Sequence, residues 1–183
     1  MRKRRDVGDE WTDEMHGLID AVLARSTGRY SRLHGVDHWK RVAAAGHALL
    51  QDTPKADPLL VFLFALFHDS MRLNDGYDPD HGPRAGILVR ELGDSLPDTI
   101  DHAQIDTLVH ACNEHTFGGI SSNPTVAVCW DADRLNLWRV GIRPDPLLLS
   151  TDAAKNPDLI LWGRELQDRR FTWEDLWESY GLV

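Results

Sequence analysis

Apolar residues recur at helical spacing along nearly the whole chain, and no sustained period-two alternation interrupts them. The pattern predicts an all-α, single-domain helical bundle. A first helix is expected over residues 12–24 with Thr12 as its N-cap, and a second over 34–51. The third, over 56–72, carries so many large apolar residues that it should be buried nearly all round. Residues 73–79 are dense in turn formers and read as a loop. A fourth helix follows over 80–92 with Gly93 as its C-cap, and a fifth over 101–116. Pro124 opens a sixth that continues to Gly141. The Pro-rich remainder forms a C-terminal extension with short helices near 158–166 and 173–180.

The chain has 183 residues, enough to bury a core without staples, and neither a repeat nor a flexible linker divides it. Its net charge of −9 repels a phosphate backbone, which argues against a nucleic-acid polymer as partner. The short basic run Arg2-Lys3-Arg4-Arg5 reads as a solvated tail. It leads into acidic residues, not an apolar segment, so no signal peptide is expected. The longest apolar stretch, Pro58 to Phe67, is too short to span a bilayer. Cys112 and Cys129 lie in apolar helical patterns and read as buried reduced thiols. A cytoplasmic location without membrane attachment is the expectation. The seven tryptophans serve either as core packing or as an interface between two copies in a homodimer.

Chemistry is carried by histidines and aspartates. His34 and His38 sit one turn apart and share a helix face. His68-Asp69 closes the apolar run of the third helix, where unpaired burial would cost several kcal/mol. Asp131 and Asp133 sit among Val128, Cys129, Trp130, Leu135 and Leu137, and again need a cation or donors. Two imidazoles and two carboxylates suit a divalent Mn, Fe, Co, Ni or Zn ion. Such an ion orients a phosphoryl oxygen and lowers the pKa of water.

The order His, His-Asp, Asp resembles the HD-domain superfamily of metal-dependent phosphohydrolases. The resemblance rests on His34-Gly-Val-Asp-His38-Trp-Lys-Arg-Val42, Phe67-His68-Asp69 and Asp131-Ala-Asp133-Arg-Leu135, and covers about residues 33–140. It implies an HD-domain-like bundle with His38, His68, Asp69 and Asp133 as metal ligands. It prefers Asp133 to Asp131, because the last aspartate of the family sits in an Ala-Asp-x-Leu context. Asp131 is then directed to Arg134, Lys40 or a supporting role. Some members hold two metals and use extra histidines between the His-Asp pair and the last aspartate. His81 and His115 fall in that interval, with His110 as the competitor of His115. They either hold a second metal or contact substrate, or they cap helices and line the cleft.

The implied activity is hydrolysis of a phosphomonoester or phosphoanhydride of a small metabolite, with nucleotides among the candidates. Asp69, Arg72 and His34 are the expected catalytic residues, because each is or neighbours a ligand. Lys40, Arg41, Arg84 and Arg134 are further cations that serve either the site or surface ion pairs. The alternatives are an HD-type di-iron oxygenase, for which His81 and His115 become obligatory ligands, and a non-catalytic metal- or nucleotide-binding regulatory domain. His16, His47 and His102 lack motif context and read as surface or satisfied residues.

Overall fold

The most apolar segment of the chain, Pro58–Phe67, becomes helix α3, and Leu59 through Phe67 are all buried. Asp57 starts it by accepting from the backbone N–H groups of Leu59 and Leu60, and Pro58 occupies the first turn, where no N–H is needed. Around α3 pack α1 (Val7–Arg25), α2 (Val36–Leu50), α4 (His81–Glu91), α5 (His102–Glu114) and α6 (Pro124–Leu135). The computed structural model describes residues 7–182, and the Arg2–Arg5 run lies outside them. Among the described residues there are helices and turns but no strand, so the all-α expectation holds. No helix there is long and apolar enough to cross a membrane.

One polar network joins the starts of three helices. The Asp57 backbone N–H donates to Thr125 Oγ1 of α6 (2.9 Å), and Gln104 of α5 donates to the Asp57 carboxylate (2.6 Å). Gln104 also completes a capping box with Asp101. With their starts tied, α3, α5 and α6 carry His68, His115 and Asp133 at their C-terminal ends. The N-terminal ends of α2 and α4 supply His38 and His81.

Several boundaries differ from the periodicity. Thr12 lies inside α1 and not at its N-cap. The third helix stops at Phe67 instead of Arg72, and residues 68–71 form turns. There the Ser70 carbonyl accepts from Gly28 N (3.0 Å) and Ser26 Oγ (2.6 Å), so it serves another segment. Gly93 starts a 3₁₀ turn, Gly93–Ser95, without a positive φ. The sixth helix ends at Leu135, because Asn136 Nδ2 bonds back to Ala132 O (2.9 Å) and the chain tightens into a 3₁₀ turn, Leu137–Val140.

The C-terminal part forms a 3₁₀ turn at Pro146–Leu148, α7 (Asp152–Lys155), α8 (Pro157–Glu165) and α9 (Trp173–Ser179). Periodicity missed the first two, each of which is only a single turn. Trp173 and Trp177 pack inward, with ring centroids 5.6 and 4.9 Å from that of Phe62. The Tyr180 hydroxyl donates to Ala43 O of α2 (2.7 Å). These aromatic rings are therefore core packing.

Candidate metal centre

Three helix C-termini, whose carbonyl dipoles favour a cation, meet the N-termini of α2 and α4, whose dipoles partly offset them. Into that region project five histidines and two aspartates. They form overlapping sets able to hold a metal ion: His38, His68 and Asp133; Asp69, His81 and His115; and His34, His38 and Asp69.

Asp69 joins these sets. Its Oδ2 lies 3.0 Å from His34 Nδ1, 3.4 Å from His38 Nε2 and 3.6 Å from His68 Nε2. Its Oδ1 faces the other way, 3.2 Å from His81 Nε2 and 3.7 Å from His115 Nε2. Asp133 Oδ1 completes the first set, 3.2 Å from His38 Nε2 and 3.9 Å from His68 Nε2. The ends of one buried carboxylate thus address two groups of imidazoles.

The ring tautomers test whether a metal fits. His68 Nδ1 faces the carbonyls of Phe64 and Ala65 at 3.2 Å, and His115 Nδ1 faces Cys112 O at 2.8 Å. His81 Nδ1 is paired with Asp78 O. Each Nδ1 therefore carries the proton, and each Nε2 presents a lone pair. Yet His38 Nε2 and His68 Nε2 are 3.2 Å apart, and His81 Nε2 and His115 Nε2 are 2.9 Å apart. For His81 and His115, lone pairs facing at that distance repel unless a cation or a proton lies between them. His38 Nδ1 has no partner among the described residues, so no such bond sets the His38 tautomer. Donors bound to one ion at 2.0–2.2 Å in octahedral geometry stand about 3 Å apart, the spacing found here. Asp133 Oδ1 is buried with no hydrogen-bond partner among the described residues, which a cation would also remedy. The donor set fits a divalent ion of the Mn-to-Zn series.

Titration follows the same geometry. Burial drives the His68 pKa down to about 3, so its imidazole stays neutral. Burial also lowers His34, against its hydrogen bond to Asp69. Burial acts to raise both carboxyls, but charge outweighs it: His68 and the other histidines hold Asp69 well below the usual range, and Arg139 with His38 does so for Asp133. Burial opposes protonation of His115, but the bond to Asp69 raises its pKa.

A cavity of about 330 Å³ opens onto this centre. Its lining includes His34, Asp69, Arg72, His115, Asp133, Arg134 and Arg139, with Leu137, Pro144, Leu148 and Leu149 as an apolar wall. Arg72 is fixed by Gly76 O (2.9 Å) and Asn74 O (3.3 Å), with Nη1 3.4 Å from Asp69. Of the other expected cations, Arg134 lines the cavity, whereas Arg84 pairs with Asp78 and Lys40 lies over the Trp173 ring. Arg41 is buried in α2 and is not part of the lining. His110 is exposed, with its ring centroid 5.8 Å from Trp130, and belongs to none of the ligand sets. His16 pairs with Glu174, and His47 contacts Gln51 and Tyr180.

Asp131 holds the apolar wall in place. Its carboxylate accepts from Ser150 N (2.8 Å), Thr151 N (2.7 Å) and Thr151 Oγ1 (2.9 Å), and Arg134 stands 3.9 Å away. Burial raises its pKa against these bonds. Asp131→Ala should cost about 2–3 kcal/mol of stability, read from urea unfolding, because it strands those donors. An unchanged midpoint would show that the wall needs no such anchor.

Compared with models of known protein families, with curated proteins and with solved structures, the chain matches none.

Proposed function

We propose that this chain is a metal-dependent phosphohydrolase that cleaves a phosphomonoester or phosphoanhydride of a small metabolite such as a nucleotide. The observation that carries the reading is a cavity lined by three arginines onto which Asp69, Asp133 and His115 of the two His/Asp groups open, with His38, His68 and His81 buried behind them. The resemblance to the HD-domain superfamily points the same way. His38, His68 and Asp133, joined by Asp69 Oδ2 at 3.4 and 3.6 Å from the two histidines, would hold one ion, and Asp69, His81 and His115 a second. A bound divalent ion supplies Lewis-acid polarisation of a phosphoryl oxygen and a lowered pKa for water.

The chain's own residues do the rest. The His34 Nδ1–H holds Asp69 Oδ2, which fixes the shared carboxylate. Arg72, tied to two backbone carbonyls, sets a positive charge beside it where phosphoryl charge would be met. Leu137, Pro144 and Leu148 exclude water from one side and offer surface to the organic part of a substrate. A second reading, oxidation of a C–H bond with two irons, draws on the same sharing of Asp69, since both ion positions then need full ligand sets.

Protein purified without added metal and assayed for phosphate release over nucleotides and sugar phosphates separates these readings. The hydrolase reading predicts release that depends on added manganese and disappears in His68→Ala. Two tightly bound irons, oxygen uptake that depends on substrate and no phosphate release would sink it in favour of the oxygenase.

A further inference from the structure

Arg139 has far fewer partners than its burial demands. Its side chain is only 8% exposed, and its Nε has no hydrogen-bond partner among the described residues. Nη1 donates to Asn136 O (3.1 Å). Nη2 stands 3.3 Å from His34 Nδ1, but that nitrogen uses its proton on Asp69, 3.0 Å away, and a protonated ring nitrogen cannot accept. The charge-assisted bond to the carboxylate is the shorter contact and decides the tautomer. What remains is an ion pair with Asp133 Oδ1 at 3.6 Å, longer than a hydrogen bond. That oxygen is also the one on which His38 and His68 converge.

A guanidinium has five N–H groups in a planar fork and stays charged. Here one of them is satisfied by a backbone carbonyl, and the side chain lines the cavity over the ligand sets. Arg41 adds to the imbalance. It too is buried, with its Nε unpartnered among the described residues; burial lowers its pKa, Asp37 opposes this, and Arg170 and Arg139 add to the lowering. A buried fork with open N–H groups facing the cavity suits a planar or tetrahedral oxyanion.

We propose that Arg139 is the anion-binding residue of this site, gripping the non-bridging oxygens of the phosphoryl group. The inference rests on the phosphohydrolase reading and names the residue that binds its substrate's charge. Arg72 is more fully engaged, with Nε on Asn74 O, Nη2 on Gly76 O and Nη1 facing Asp69 and His81, so it adds positive charge beside the anion while Arg139 supplies the open donors.

The test is titration calorimetry of inorganic phosphate into manganese-loaded protein, for the wild type, Arg139→Gln and Arg139→Lys, alongside manganese affinity, melting temperature and steady-state kinetics on the best ester. Loss of one charge-assisted contact should weaken phosphate binding by roughly 10- to 100-fold in Arg139→Gln. Arg139→Lys should recover part of that, and manganese affinity and melting should change little. Wild-type phosphate affinity in Arg139→Gln would overturn the proposal and leave the hydrolase reading standing. An Arg139→Gln protein that loses manganese as well as phosphate would overturn it in favour of a structural role beside Asp133. A loaded wild type that neither binds phosphate nor releases it from any ester would overturn both.

Discussion

Asp69→Ala is expected to reduce phosphate release by at least about a thousandfold, the largest effect of any single substitution in the chain. Its two oxygens face opposite groups of histidines, so its loss removes a donor from both proposed ion positions at once. It also leaves His34 without its acceptor. His81→Ala removes a donor from one position only and should cost less. The measurement is kcat/KM on the best ester for both variants, beside their metal content. An Asp69→Ala protein that keeps a tenth of wild-type activity would refute the shared role of this carboxylate.

The second large effect is on stability. Phe64 is fully buried in α3. Its ring stacks on His68 at a centroid distance of 4.9 Å and meets the edge of His115 at 6.0 Å. Phe64→Ala leaves a cavity under both ligand groups and should cost about 3–5 kcal/mol, read from chemical denaturation of the metal-free protein. Phe64→Leu keeps most of the volume and should cost clearly less. A loss below about 1 kcal/mol for the alanine variant would mean that the site is not supported from below by this ring.

Much of this arrangement was legible in the chain. An unbroken apolar run ending in His68-Asp69 could only be a buried helix delivering two polar groups to an interior site, and α3 does that. The choice of Asp133 over Asp131 came from the resemblance, and the geometry separates the two: Asp133 faces the histidines, while Asp131 anchors residues 150 and 151. His115 and His110 are five residues apart, about 140° round a helix, so α5 turns one inward and leaves the other exposed.

What sequence periodicity missed has a local cause. The apolar spacing continues past Leu135, so a helix to Gly141 was expected, and on it Arg139 would lie about 120° away from Asp133. A single side-chain bond from Asn136 to Ala132 O ends the helix and lets Arg139 face the same cavity. Helical spacing does not encode that bond. The wall formed by Pro144, Leu148 and Leu149 was hidden for a related reason. It belongs to a nearly helix-free segment placed by Asp131 and Arg134 through backbone contacts, which leave no trace in a hydrophobic pattern.

The most direct test of the shared-carboxylate centre is a count of bound ions. Protein equilibrated with manganese, freed of excess and analysed for metal should hold two ions per chain, falling to about one in His81→Ala. No retained manganese in the wild type, or the same count in both proteins, would contradict the account.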